Sequence, residues 1–198
     1  MARTIAKDHD DKRARILKSA ARVFAQEGFD RASMSQLARE CGISKANIYH
    51  YYDSKDAILF DILDSYLRQL RDQICGLDLE GLTPADGLRR VLQEILLAYQ
   101  GVDDEHRVQT SGMSALPEEQ QKLLRGYQRD LVEFVSDIIA SVAPQTFTDD
   151  AAKLRATTMS VFGMLNWFYM WNAGADTEAR SDYAALVSNL TLSGVDGL

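Results

Sequence analysis

The chain has 198 residues, 46% of them apolar, with two cysteines, three prolines and a net charge of −7. This length accommodates a small module plus one further domain, the composition excludes disorder, and two cysteines exclude a disulfide framework. No apolar run approaches the ~18 residues that cross a bilayer, and the N-terminus MARTIAKDHDDKRAR lacks a signal-peptide core, so a cytoplasmic protein with no membrane partner is expected.

The chain opens on a polar arm whose Arg3 and Lys7 could reach a phosphate or a minor groove, or simply fray. A helix is predicted from about Asp8 to Glu27. Its first turn is acidic, as the helix dipole favours, and Ile16, Leu17, Ala20, Val23 and Phe24 recur at helical spacing. Gly28 stops it, and Phe29 packs beneath the turn.

The stretch from Ser33 to Tyr52, SMSQLARECGISKANIYHYY, reads as two short helices around a tight turn. Ser33 and Gln36 make a capping box, and Gly42 supplies the left-handed residue that ends a helix. Ile43 plugs the corner and Ser44 caps a second helix from about Lys45 to Tyr51. This is the pattern of a helix-turn-helix, whose second helix lies in the DNA major groove.

Residues 1–55 hold eleven Lys or Arg against seven Asp or Glu, whereas the remainder holds eleven against twenty-two. A basic head on an acidic body is the asymmetry expected when one end meets phosphates; the alternative is an ordinary mixed-charge surface.

Ser54 caps a helix carrying Ile58, Leu59, Ile62, Leu63, Tyr66, Leu67 and Leu70 to about Cys75. Thr83 and Pro84 start another, which runs to about Gly101. Asp103–Glu105 could open a short helix with His106 and Arg107 that ends at Gly112. A long helix spans about Pro117 to Ser141, with Leu124, Tyr127, Leu131, Phe134, Val135, Ile138 and Val142 on its inner face. Thr148 then caps a helix ending in VFGMLNWFYMW, and a last one runs from about Ser181 to Leu192, with Tyr183, Leu186, Val187 and Leu190 on one stripe. No strand signal or repeat occurs.

An all-α fold follows: a three-helix DNA-binding domain over residues 1–55 and a helical ligand-binding and dimerisation domain over 56–198. The segment VFGMLNWFYMW is apolar on every side and too short to span a membrane, so both faces require cover. A monomer would leave Trp167, Phe168 or Trp171 in water, which points to a homodimer through the last two helices.

Residue roles can be argued from geometry. On the second helix of the motif, Ile48 and Tyr52 share the inward face, leaving Ala46 and His50 outward, flanked by Asn47 and Tyr49, with Lys45 leading. Asn47 suits an adenine edge and Ala46 leaves room for a thymine methyl. Ser33, Ser35 and Lys55 lie at helix N-termini, which favour an anion. Tyr49 could instead pack in the core and His50 could be an idle surface residue.

In the body, Tyr99, Met113, Tyr127, Phe134, Trp167 and Trp171 could line a ligand pocket or be plain core. Asn166, set in an apolar helix, needs partners for both ends of its amide. His106, Arg107 and Arg125 could meet a ligand's anionic group or stand as exposed charges. Cys41 fills the head's core, and Cys75 is expected to be inert. The chain shows no nucleophile elbow, phosphate-cradling loop or metal spacing, so neither enzyme activity nor a cofactor or metal is expected.

Residues 12–65 resemble the tetracycline-repressor (TetR) family, on ISK, IYHYY and SKDAIL within ILKSAARVFAQEGFDRASMSQLARECGISKANIYHYYDSKDAIL. The family commonly has Gly or Thr after the Ser-Lys pair and Phe at the end of the YHYF run; Ala46, Asn47 and Tyr52 stand there here. The resemblance implies a homodimeric one-component regulator, commonly a repressor. Such a protein binds double-stranded palindromic operator DNA and releases it when a small-molecule effector enters the body. It also implies phosphate contacts by Tyr49 and His50. FGMLNWFYMW and the closing LTLSG resemble members that sense acyl-CoA thioesters in fatty-acid, steroid or aromatic-acid catabolism. The alternative is a constitutive architectural DNA-binding protein without an effector.

Overall fold

The computed structural model describes residues 2–195, with side chains described from 9 to 194. The side chains of Arg3, Lys7 and Asp8 therefore lie outside the described residues. Helices account for all regular structure among those residues. They are α1 (Ala2–Glu27), α2 (Met34–Glu40), α3 (Lys45–Tyr51), α4 (Lys55–Cys75), α5 (Pro84–Ala98), α6 (Asp103–Gly112), α7 (Glu118–Val142), α8 (Pro144–Phe147), α9 (Ala151–Trp171) and α10 (Thr177–Val195), with a 3-10 turn at Met113–Ala115. The backbone of the polar arm continues α1 rather than preceding it.

The chain packs as two compact units that do not follow the sequence division at residues 55 and 56. The first takes residues up to Arg68 together with Asp104–Arg125; the second takes Gln69–Asp103 and Gly126–Leu198.

In the first unit, Ile16, Ala20, Ala21, Val23 and Phe24 of α1 are buried with Leu37 and Ala38 of α2, Ile48 of α3 and Ile58 and Leu59 of α4. Leu17, expected on this face, is only half-buried, and Ala21 takes its place. Gly42 has φ +68, as the turn requires. Residues 104–125 join this unit through polar as well as apolar contacts. The Tyr66 hydroxyl lies 2.8 Å from His106 Nδ1, and Lys18 Nζ is 3.0 Å from Glu105 Oε1. Of the two readings open for His106, a ligand contact or an exposed charge, the second does not hold: the residue is buried.

In the second unit, α10 lies along α5. Its buried face is Ala184, Val187, Ser188 and Thr191, and the Ser188 and Thr191 hydroxyls donate to carbonyls one turn back at 2.7 and 2.8 Å. Leu186 and Leu190 do not share that face and are exposed. On α9, Thr158, Val161, Phe162, Leu165 and Phe168 are buried, so Phe168 needs no partner chain to leave water. Asp150, not Thr148, caps α9, accepting from the Lys153 N–H at 2.8 Å. The buried face of α7 includes Ile139 rather than Ile138.

Arg180 is 1% exposed, an unusual place for a charge that no sequence pattern signals. Its guanidinium is satisfied on several sides: it donates to the Ala175 and Leu96 carbonyls and to Asp103 at 3.1–3.3 Å, and lies 5.7 Å from the Phe168 ring centre. Buried charge is tolerated where every donor finds an acceptor.

Candidate nucleic-acid interface

The recognition element is built by its caps. The Ser33 hydroxyl accepts from the Gln36 N–H at 3.2 Å and the Ser44 hydroxyl from the Asn47 N–H at 3.1 Å, so each short helix starts at a defined residue. With Ile48 and Tyr52 buried, the outward side of α3 is Lys45, Ala46, Tyr49 and His50, all exposed, with Asn47 half-buried beside them. Ser33 and Ser35 are exposed at the start of α2.

The side chains on this face also contact one another. Lys45 Nζ lies 6.0 Å from the centre of the Tyr49 ring, which is 43% exposed, and His50 meets Tyr51 edge-on at 5.6 Å. Tyr51 also stacks on His9 of α1 at 4.9 Å. Asn47 borders a cleft of about 120 Å3 whose basic residues are Lys12 and Arg15 of α1. Sequence reasoning did not bring those two cations to the recognition helix, because the link depends on where α1 crosses the turn. Cys41 also lines this cleft, its Sγ 3.9 Å from the Ile16 carbonyl, and burial raises its thiol pKa.

Lys55 stands at the start of α4, as expected, but is already engaged within the chain. Its ammonium is half-buried and donates to the carbonyls of Phe29, Asp30 and Ala32 at 2.9, 3.1 and 3.3 Å, over the Phe29 ring at 4.4 Å. The ammonium is thus engaged by the loop between α1 and α2 while still half open to solvent.

The residues expected to line a pocket in the body separate into groups. Tyr99 is buried and its hydroxyl donates to Asn166 Oδ1 at 2.7 Å; burial raises its phenol pKa well above the ordinary range. Asn166 thus finds one of its partners within the chain. Tyr127 lies under the Arg71 guanidinium at 5.1 Å, and Phe134 is half-buried. Trp167 and Trp171 are 62% and 59% exposed and so do not line an enclosed pocket of a single chain. Met113 belongs to the first compact unit, apart from the other six. A groove of about 230 Å3 between α9 and α10 is lined by Thr157, Ser160, Val161, Met164, Leu190 and Thr191 and uses none of the seven. Arg107 and Arg125 are exposed, and Arg125 donates to Gln121 Oε1 at 2.8 Å.

Among the described residues, no cluster of His, Cys, Asp or Glu could hold a metal ion, and no helix is long and apolar enough to cross a membrane.

Comparison with known proteins bears on both units. Residues 16–62 match the model for bacterial regulatory proteins of the tetR family, and residues 81–195 match the tetracyclin repressor-like C-terminal domain. A TetR-family transcriptional regulator from Bordetella parapertussis superposes with a TM-score of 0.83 at 31% identity, over 94% of this chain and 96% of that one. AibR, solved in complex with isovaleryl coenzyme A and operator DNA, shares the fold with a TM-score of 0.74 at 22% identity, over 91% and 98% of the two chains. Among sequences, the uncharacterized HTH-type transcriptional regulator YdgC of Bacillus subtilis is 30% identical over 112 residues, 56% of this chain and 57% of YdgC. The matches span between 29% and 57% of the lengths of the first curated relatives.

Proposed function

The chain belongs to the tetR family of bacterial regulatory proteins, and from that membership we propose a homodimeric one-component repressor that reads a palindromic operator and is released by a small molecule. One observation carries the reading: α3 buries Ile48 and Tyr52 and turns Lys45, Ala46, Tyr49 and His50 outward, with Asn47 at their edge. A helix seven residues long, capped at its start and bare on one side, is the shape that enters a major groove. Asn47 and Ala46 face base edges. Lys45, Tyr49 and His50 contact phosphates, together with Ser33 and Ser35 at the start of α2. Lys55 supports the loop before α2 and contributes its field rather than a direct contact.

The dimer forms through α9 and α10, which carry Met159, Trp167, Met170, Trp171, Leu186 and Leu190 as exposed apolar side chains. An apolar surface of this kind on a monomer marks an interaction site. Trp167 and Trp171 are therefore assigned to the seam. The effector is assigned to the body, with Tyr99, Tyr127, Phe134 and Asn166 as its nearest candidates. An acyl-CoA is the favoured class, by analogy with AibR and its isovaleryl coenzyme A. Such a regulator works in the cytoplasm, where its DNA is.

In the DNA-bound state the two recognition helices stand about 34–36 Å apart, one turn of the duplex. Effector binding favours a state that no longer matches this spacing. A shift from 1:99 to 99:1 requires the effector to prefer that state by ~5.5 kcal/mol. The test is a thermal-shift screen of the purified protein against acyl-CoAs of graded chain length and aromatic acids. A ligand that binds the folded state raises its melting temperature by mass action, and the same compound should displace bound DNA. A compound that stabilises the protein and leaves DNA binding untouched would remove the effector role.

A further inference from the structure

We propose that Asp61 is a positioning residue for the recognition helix, holding the end of α3 through Tyr52 and tying both to α1 through Arg13. The inference rests on the DNA-reading function proposed above and adds to it a determinant of base preference that does not itself touch DNA.

Asp61 lies on α4, with its side chain only 15% exposed. Both its oxygens are used twice. Oδ2 accepts from the Tyr52 hydroxyl and from Arg13 Nε at 2.9 Å, while Oδ1 accepts from Arg13 Nη2 and from the Ser65 hydroxyl at 3.4 Å. A planar guanidinium set against a planar carboxylate fixes direction as well as distance, so α1 and α4 are held in one orientation at this point.

Tyr52 brings α3 into the same arrangement. It is the C-cap of that helix, its backbone N–H closing on the Ile48 carbonyl at 2.9 Å, and its ring is buried. The ring is a rigid strut from the last turn of α3 to the carboxylate. Burial, and next the hydrogen bond to Asp61, raise the phenol pKa far above its ordinary range, so the hydroxyl remains a donor. The outward side of the same short helix carries Ala46, with the half-buried Asn47 at its edge. Rotating α3 about its axis would move those groups across the base edges, where hydrogen bonds demand good geometry; phosphate contacts by flexible side chains tolerate such a shift.

A Phe at position 52 would retain the packing of the ring and lose only the tie to Asp61. That separates positioning from core packing. In the test, the full-length protein first selects duplexes from a randomised DNA pool. Affinities of wild type, Tyr52→Phe and Asp61→Asn are then measured on the selected duplex and on a scrambled one. Tyr52→Phe should weaken the selected duplex roughly tenfold, the size of one hydrogen bond to a charged group, and leave the scrambled duplex unchanged. Asp61→Asn, which loses half of the guanidinium pairing, should shift the same ratio in the same direction. The inference is overturned if the ratio of the two affinities stays at its wild-type value in both variants, including the case in which both duplexes weaken together through loss of folded protein. A wild-type protein that enriches no sequence at all would instead remove the DNA-reading function, and the positioning role with it.

Discussion

Asn47 is the residue on which base reading can be tested most cleanly. Its backbone N–H is taken by the Ser44 cap, so truncating the side chain leaves the start of α3 intact. Asn47→Ala should cost ~1–3 kcal/mol on the operator and relax preference at one position per half-site, as read from the sequences each protein selects. A second prediction concerns Tyr99, buried and bonded to Asn166. Burial raises its pKa in the folded protein above the unfolded value of ~10, so its contribution to stability is complete below that pH and is lost as pH rises toward the folded value. Melting temperature should therefore fall above about pH 10, and Tyr99→Phe should blunt that fall; an unchanged alkaline slope would contradict the assignment. Caps were legible at this scale: Ser33, Ser44 and Thr83 act where their sequence context places them, since a cap involves neighbours three residues apart. Lys55 was not legible. Its position at a helix start suggests a displayed cation, but its partners are carbonyls more than twenty residues earlier in the chain.

The C-terminal half of α9, VFGMLNWFYMW, is apolar on every side, a pattern visible without any structure. Which side is covered by its own unit was not visible. Phe168 packs against Tyr183 at 4.6 Å and is buried, while Trp167, one residue earlier, projects outward. Helix α10 is split in the same way: Val187 and Ser188 are buried, and Leu186 and Leu190 are exposed. Because these exposed side chains are not needed by the fold of one chain, Trp167→Glu with Leu190→Glu should yield a folded monomer. Sedimentation should show half the mass with unchanged helical circular dichroism. A variant that still sediments as a dimer would place the seam elsewhere. Element ends were less legible than element centres. The arm before Asp8 continues α1, and Asp150 displaced Thr148 as the cap of α9 because both residues suit a helix start and only the backbone path decides between them.

At the scale of the whole chain, the acidic composition hides a division of labour: a net −7 arises from a basic first quarter and a strongly acidic remainder. The all-helical fold and the helix-turn-helix could be read from periodicity and turn chemistry, which are local. The extent of the compact units could not. His106 joins the first unit by pairing with Tyr66, forty residues away, and short-range patterning carries no record of such a contact. Pocket residues were the least legible, because an aromatic stripe looks the same whether it lines a cavity, fills a core or waits for a second subunit. The central claim is that a homodimer reads DNA through two copies of α3, and sequencing the duplexes that the wild-type protein selects from a randomised pool tests it most directly. The account predicts an enriched palindrome whose half-site centres lie about 10–10.5 base pairs apart, one turn of the duplex. Enrichment of a single unpaired half-site, or of no sequence, would contradict it.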